Sequence, residues 1–371
     1  MSADETELNE LRASVREFLA AKSPEEAVRK LMESEQRFDA EVWAQAADQL
    51  RLPGLALPEE YGGDGFGPVE LGVVLEESGR ALWCAPFFAT VVLAAQALLA
   101  SGDKEACARH LPGIAAGSTT ATLAVAEDSG SWDPVLISTR AVPDGESGWK
   151  LSGRKCFVID GTTADLVLVV ARTVAGPSLF AVDRDAAGLT AVPMETLDAT
   201  RAMARLTLDS VPATLVGAVG AGGRVMAEVL DIASVGLAAE QAGGARRCLE
   251  TSTEYARTRH QFGRPIGSFQ AVKHKCADML VQVELAEAAA REAARLAAEG
   301  AADFAVAAAV AHACCSRAYL STAMENIQVH GGIGFTWEHP AHLYFRRAKS
   351  SQLLFGGPAV YHERLLDRLG I

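Results

Sequence analysis

Between Thr119 and Val216 the chain breaks into short β-branched runs, TLAVA, WKLSG, KCFVI, LVLVVA, SLFAVD, LTAVP and RLTL, each closed by turn residues. On both sides of this stretch the apolar spacing is helical, and periods of about 2 and about 3.6 cannot share one element. Ahead of it, Leu8, Leu11, Val15, Phe18 and Leu19, and later Leu71, Val74, Leu75 and Ser78, recur three or four residues apart. Beyond it, residues 224–258, 268–299, 302–330 and 340–353 predict four long helices, rich enough in alanine to pack closely as a bundle. The expected architecture is α+β and mainly α. It has an N-terminal helical domain over 1–117, a middle antiparallel, barrel-like β domain over 118–218, and a C-terminal four-helix bundle over 219–371. Proline and paired glycines make LALPEEYGGDGFGP a loop, and PDGESG (143–148) and IDGTTAD (159–165) are candidate tight turns.

With 371 residues, 49% of them apolar, the chain can bury a substantial core. A formal net charge of −13 argues against nucleic acid or an anionic membrane as partner. Cys84, Cys107, Cys156, Cys248, Cys276, Cys314 and Cys315 form no CxxC pair, so buried free thiols in a reducing compartment are expected, and no metal site. The acidic, amphipathic start lacks the texture of a signal peptide, and no apolar run approaches about 18 residues, so a soluble cytoplasmic protein is expected.

Two motifs carry chemistry. In YARTRHQFGRPIGSFQAVKH (255–274), Arg259 leaves one helix, Phe262 and Gly263 turn the chain, and Gln270 opens the next helix. A guanidinium so placed can grip an anion, although Arg259 could instead merely cap a helix C-terminus. In Gln328-Val329-His330-Gly331-Gly332-Ile333-Gly334-Phe335 the glycines let backbone approach a ligand closely; taken alone, they also fit an ordinary helix C-cap. The two motifs, with LEESGRAL, GRKCFVIDG and FRRAKSSQLLFGG in order around them, resemble the acyl-CoA dehydrogenase family over essentially the whole chain. The resemblance implies FAD as cofactor, an acyl-CoA as substrate, α,β-dehydrogenation as the reaction and an electron-transfer flavoprotein as acceptor. It also implies that Arg259, Phe262, Gly263, Gln270, Gln328, Gly331 and Gly332 reach the FAD of a neighbouring subunit.

The chain departs from the family where the chemistry is done. Abstraction of the proton beside a thioester carbonyl needs a carboxylate base. One family position for that Glu falls on Phe355; the other falls on Ala233, immediately ahead of Ser234. Asp231 is the nearest acid, and it could equally be a solvated or capping residue. The family's Thr-Glu-Pro-x-x-Gly-Ser-Asp reads Ala126-Glu127-Asp128-Ser129-Gly130-Ser131, and its Trp-x-Thr reads Phe157-Val158-Ile159. Phe157 keeps an aromatic face for a flavin ring, or is a sheet-core aromatic. Residues that cradle a flavin in cis are eroded while those reaching across in trans are kept. This pattern resembles subunits of the α2β2 heterotetrameric dehydrogenases of actinobacterial steroid catabolism, with a related partner supplying the base. A self-sufficient homotetramer using Asp231, and a catalytically silent scaffold, are the alternatives.

Overall fold

The computed structural model describes residues 4–145 and 148–371. The N-terminal helices are α1 (Glu5–Lys22), α2 (Glu25–Glu33), α3 (Ala40–Leu50), α4 (Pro68–Ala81), α5 (Ala95–Ser101) and α6 (Lys104–Ala115). Seven strands follow: β1 (Ala121–Ala124), β2 (Arg140–Asp144), β3 (Gly148–Ile159), β4 (Leu166–Thr173), β5 (Gly176–Asp183), β6 (Leu189–Pro193) and β7 (Met203–Val216). Helices then return as α7 (Gly222–Thr258), α8 (Gln270–Glu299), α9 (Phe304–His330), α10 (Ala341–Leu353) and α11 (Pro358–Leu369). The chain forms two compact units. One comprises Arg29–Gly67 and Cys84–Ala233; the other comprises residues 4–28, Pro68–Trp83 and Ser234–Ile371.

In the first unit the sheet order is β1-β4-β2-β3-β7-β5, with β6 on β7 and β5 also paired to β4, so the strands close on themselves. Val167, Val169, Ala171, Phe180, Val182, Leu206 and Leu208 fill the interior. The sheet is not wholly antiparallel as expected: β1 runs parallel to β4, from Ala121 opposite Leu166 to Ala124 opposite Val169. A hairpin forces antiparallel neighbours only on consecutive strands, and β2 and β3 intervene here. The 159–165 turn forms around Asp160, whose carbonyl accepts from Thr163 and Ala164 N–H at 3.0 Å each. At the other predicted turn Asp144 pairs with Gly148, while Glu146 and Ser147 lie outside the described residues.

The second unit holds α1, α4, most of α7, and α8–α11. Its core is alanine: Ala238 and Ala242 of α7, Ala286, Ala290 and Ala293 of α8, and Ala308, Ala311 and Ala318 of α9 are buried together. Small side chains let helix axes approach closely. At two points the approach requires glycine. A Cβ on Gly79 of α4 would lie 1.9 Å from the Glu240 carbonyl oxygen, and one on Gly243 of α7 would lie 1.8 Å from that of Glu76. The four predicted bundle helices are present, and α11 is a fifth that the apolar spacing does not predict. The Gly356-Gly357 pair reads as punctuation between elements. Yet proline at the first helical position starts a helix.

Two further expectations are corrected. Among the described residues one stretch, Phe304–Phe335, is long and apolar enough to cross a membrane. It gains its hydropathy from many small alanines rather than from one uninterrupted run of large side chains, and alanines of its α9 portion pack in the bundle core. All seven cysteines are free, but only five are buried; Cys276 and Cys314 are half-buried.

Candidate functional site

The end of α7 builds the first arm. Arg259 N–H still donates to the Tyr255 carbonyl at 2.8 Å, and then the chain leaves the helix as a hairpin of β8 (His260–Gln261) and β9 (Arg264–Pro265). Phe262 (φ 53°) and Gly263 (φ 76°) form its tip, and two consecutive left-handed residues match the twist of a two-residue hairpin. Ile266 N–H closes the loop on the Arg259 carbonyl at 2.8 Å. Left-handed backbone costs a non-glycine residue about 1–2 kcal/mol, and here it holds a phenylalanine that is 91% exposed. Arg264 lies 4.0 Å over the Phe269 ring, which in turn meets Phe262 edge-on at 6.2 Å. Gln270 begins α8, exposed, behind an N-cap Phe269 that supplies no side-chain cap.

The second arm ends α9. Gln328 is exposed, and Gly331 stops the helix at φ 64° and ψ −141°, a conformation that only glycine holds without strain. Added Cβ atoms on Gly331 or Gly332 would meet nothing within 4 Å, whereas one on Gly334 would lie 2.9 Å from the Ile327 carbonyl. The first two glycines therefore face open space, and the third is fixed by packing. Ile333 and Phe335 stand 43% and 82% exposed.

The two arms lie at one end of the bundle. The Tyr255 ring of α7 packs on His330 of α9 with centroids 4.4 Å apart, and Lys275 near the start of α8 pairs with Glu325 of α9. The structure thus brings the Arg259, Phe262, Gly263 and Gln270 segment together with the Gln328, Gly331 and Gly332 segment. An exposed guanidinium, a helix N-terminus without a side-chain cap and glycines open to space fit the pyrophosphate of a dinucleotide.

The positions expected to carry chemistry are different in kind. Phe355 is fully buried at φ 64°, and Ala233 is fully buried on α7. Next to it the Ser234 hydroxyl lies 2.8 Å from that of Tyr361 on α11, whose ring stacks on buried His312 at 3.5 Å. Burial, reinforced by Arg364, pushes the His312 pKa down to about 3, so the ring is neutral. Asp231, half-buried on α7, has bonding partners of its own. Nothing in the spacing of the sequence singles out Tyr361 or His312, because their stack exists only once α11 packs on α9.

In the β unit, Phe157 does not sit as an ordinary sheet-core aromatic. It is half-buried at φ 57° inside a bulge between Lys155 and Val158, its N–H donating to Met194 Sδ at 3.4 Å. Beside the bulge Lys155, fully buried, donates to the Val125 carbonyl at 2.8 Å and to Glu127 Oε1 at 3.1 Å. No pattern in GRKCFVIDG marks that lysine as an interior residue. Burial lowers its pKa to about 8 against the pull of Glu127. Burial alone would raise Glu127, but hydrogen bonds from Ser138 and Thr139, with Lys155 added, hold it at about 2.

Profiles of the acyl-CoA dehydrogenase N-terminal, middle and C-terminal domains match residues 5–118, 122–211 and 220–370. The chain is 35% identical to acyl-CoA dehydrogenase IpdE2 of Mycobacterium tuberculosis, over 96% of this chain and 95% of that protein. Among solved structures it resembles a variant of the steroid ACAD Tcur3481-Tcur3483, at 37% identity, a TM-score of 0.89 and 98% coverage of both chains. It also resembles the ChsE4-ChsE5 complex from Mycobacterium tuberculosis, at 31% identity and a TM-score of 0.89, over 99% of this chain and 98% of that one. With the motifs in place and the whole length matched, the chain belongs to the acyl-CoA dehydrogenase family, whose cofactor is FAD.

Proposed function

We propose that this chain is one subunit of a heteromeric FAD-dependent acyl-CoA dehydrogenase, and that a related partner subunit supplies the catalytic base and the contacts to the flavin ring. The observation carrying this reading is an asymmetry of exposure. Both family positions for the base are non-carboxylate and buried, Phe355 and Ala233 at 0% exposure, while Phe262 of the arm is 91% exposed. An arm held open at the cost of a left-handed phenylalanine is shaped to meet another chain. Bound FAD supplies the hydride acceptor for forming an α,β double bond in the acyl-CoA thioester. Arg259 and the open glycines would bind its pyrophosphate, Phe262 and Gln270 would orient it, and the exposed Ile333 and Phe335 would exclude water from the joint. The residues facing a flavin in cis do not fit as well, since Ala126 and Ile159 replace two threonine hydroxyls of the family pattern. A bulky or steroid-side-chain acyl group is the proposed substrate class, supported by the name of one similar solved structure, a steroid ACAD variant. An electron-transfer flavoprotein is the proposed acceptor. Seven unpaired cysteines support a reducing, cytoplasmic setting.

The test is flavin content. Purified alone, the chain should carry little FAD and no dehydrogenase activity; co-purified with its partner, it should carry both. Stoichiometric FAD and full turnover from the chain alone would overturn the divided site. Asp231 separates this reading from a self-sufficient homotetramer. In the heteromer Asp231→Asn should leave kcat unchanged, because the partner holds the base, and loss of turnover with FAD retained would make Asp231 the base.

A further inference from the structure

The two arms spring from different helices, and a ligand gripped by both requires their separation to be fixed to a fraction of an ångström. The His330 side chain stands between them. His330 is the last residue of α9, immediately before Gly331, and only 5% exposed. Its Nδ1 lies 2.8 Å from the Asn326 carbonyl. A carbonyl only accepts, so Nδ1 carries the proton and the ring orientation is set. That ring packs against Tyr255 at 4.4 Å and against His339 at 4.2 Å. Tyr255 in turn accepts the Arg259 N–H on its carbonyl, which places it directly beneath the hairpin. One turn back the same helices are tied again, as Asn326 Oδ1 accepts from Ser252 Oγ at 2.8 Å and Thr251 Oγ1 at 3.3 Å. His339, beyond the glycine turn, accepts the Ala341 N–H at 3.2 Å and so holds the far side of that turn.

We infer that His330 is a positioning residue. Stacked between the root of the Arg259 hairpin and the exit of the Gly331–Phe335 turn, its ring locks the two arms into one register. The inference rests on the reading that both arms serve a flavin shared with a partner. The ring contacts, rather than the Nδ1 proton, set the register, because they alone reach both arms; the hydrogen bond stays within α9.

Three variants and two measurements test it. His330→Ala removes the ring, His330→Phe keeps a ring without the donor, and Tyr255→Leu removes the other member of the stack. In hydrogen exchange on the purified chain, His330→Ala and Tyr255→Leu should speed exchange about tenfold at residues 259–266 and 331–336, as loss of aromatic contacts predicts, with the α8–α9 core unchanged. His330→Phe should stay within about twofold of the natural protein. In the complex with the partner subunit, the FAD dissociation constant should rise about tenfold for His330→Ala and be restored by His330→Phe. Unchanged exchange at both segments, or a rise spread through the whole chain, overturns the inference. Should His330→Ala fail to fold, Tyr255→Leu is expected to give the same local signature, and its absence overturns the inference in the same way. Local exchange that rises while FAD affinity holds leaves the clamp standing and overturns the shared-flavin reading instead.

Discussion

Arg259→Ala strips FAD from the complex and takes activity with it. The guanidinium stands exposed where α7 gives way to the hairpin, and among the described residues no carboxylate pairs with it. Among the described residues no carboxylate therefore competes for its charge. A hydrogen bond to a charged group contributes about 1.5–3 kcal/mol, so losing the side chain should weaken FAD binding roughly 10- to 100-fold. Thermal stability without FAD should hold, since exposed changes fall within about 0.5 kcal/mol. Arg259→Lys should recover only part of the affinity, because an ammonium is a point charge and cannot offer the planar fork. Arg257→Ala, exposed on the same last turn of α7, is the control and should bind FAD normally. Flavin absorbance after gel filtration and a titration of the stripped complex read the result. Full FAD retention by Arg259→Ala would leave the arm without a role in cofactor binding.

The largest loss of stability should come from Glu127→Ala. Its carboxylate accepts from Ser138 N–H at 2.9 Å, Thr139 N–H at 2.8 Å, Thr139 Oγ1 at 2.7 Å and Lys155 Nζ at 3.1 Å, and also from the Ser138 hydroxyl. Removing it leaves the ammonium of fully buried Lys155 without its counter-charge. Breaking a buried pair from one side costs about 3–5 kcal/mol, which a urea titration resolves easily. Lys155→Met should cost clearly less, because it also removes the burial penalty that already lowers the lysine pKa to about 8. The pH dependence has a definite sign. The folded-state pKa of Glu127, about 2, lies below the ordinary 4.5, so the folded form favours the carboxylate. Its stabilisation is complete above the ordinary carboxyl range and is lost as pH falls from about 4.5 towards 2. The gap in stability between the natural protein and Glu127→Ala should therefore narrow in acid. A gap as wide at pH 3 as at pH 7 would contradict that assignment. The pair lies beside the bulge that holds Phe157.

The sequence determined whatever is local or written as a motif. The change of period at Thr119 and Val216 marks the β segment, because side-chain direction repeats with the backbone and needs no distant partner. The Arg259 hairpin is legible because Phe262 and Gly263 must turn between two helices, and the absence of a carboxylate at Phe355 and Ala233 is a matter of reading letters. What only the tertiary structure decided is where those letters go. Lys155 looks like any surface lysine until β3 carries it inside the sheet against Glu127, and β1 is assigned a parallel neighbour by closure of the sheet rather than by its own four residues. Tyr361 meets Ser234 from 127 positions away, and His330 meets Tyr255 only because α7 and α9 end together. Burial and contact are set by elements far apart in the chain. The arm was therefore visible from the start, while the ring stack at its root waited for the fold.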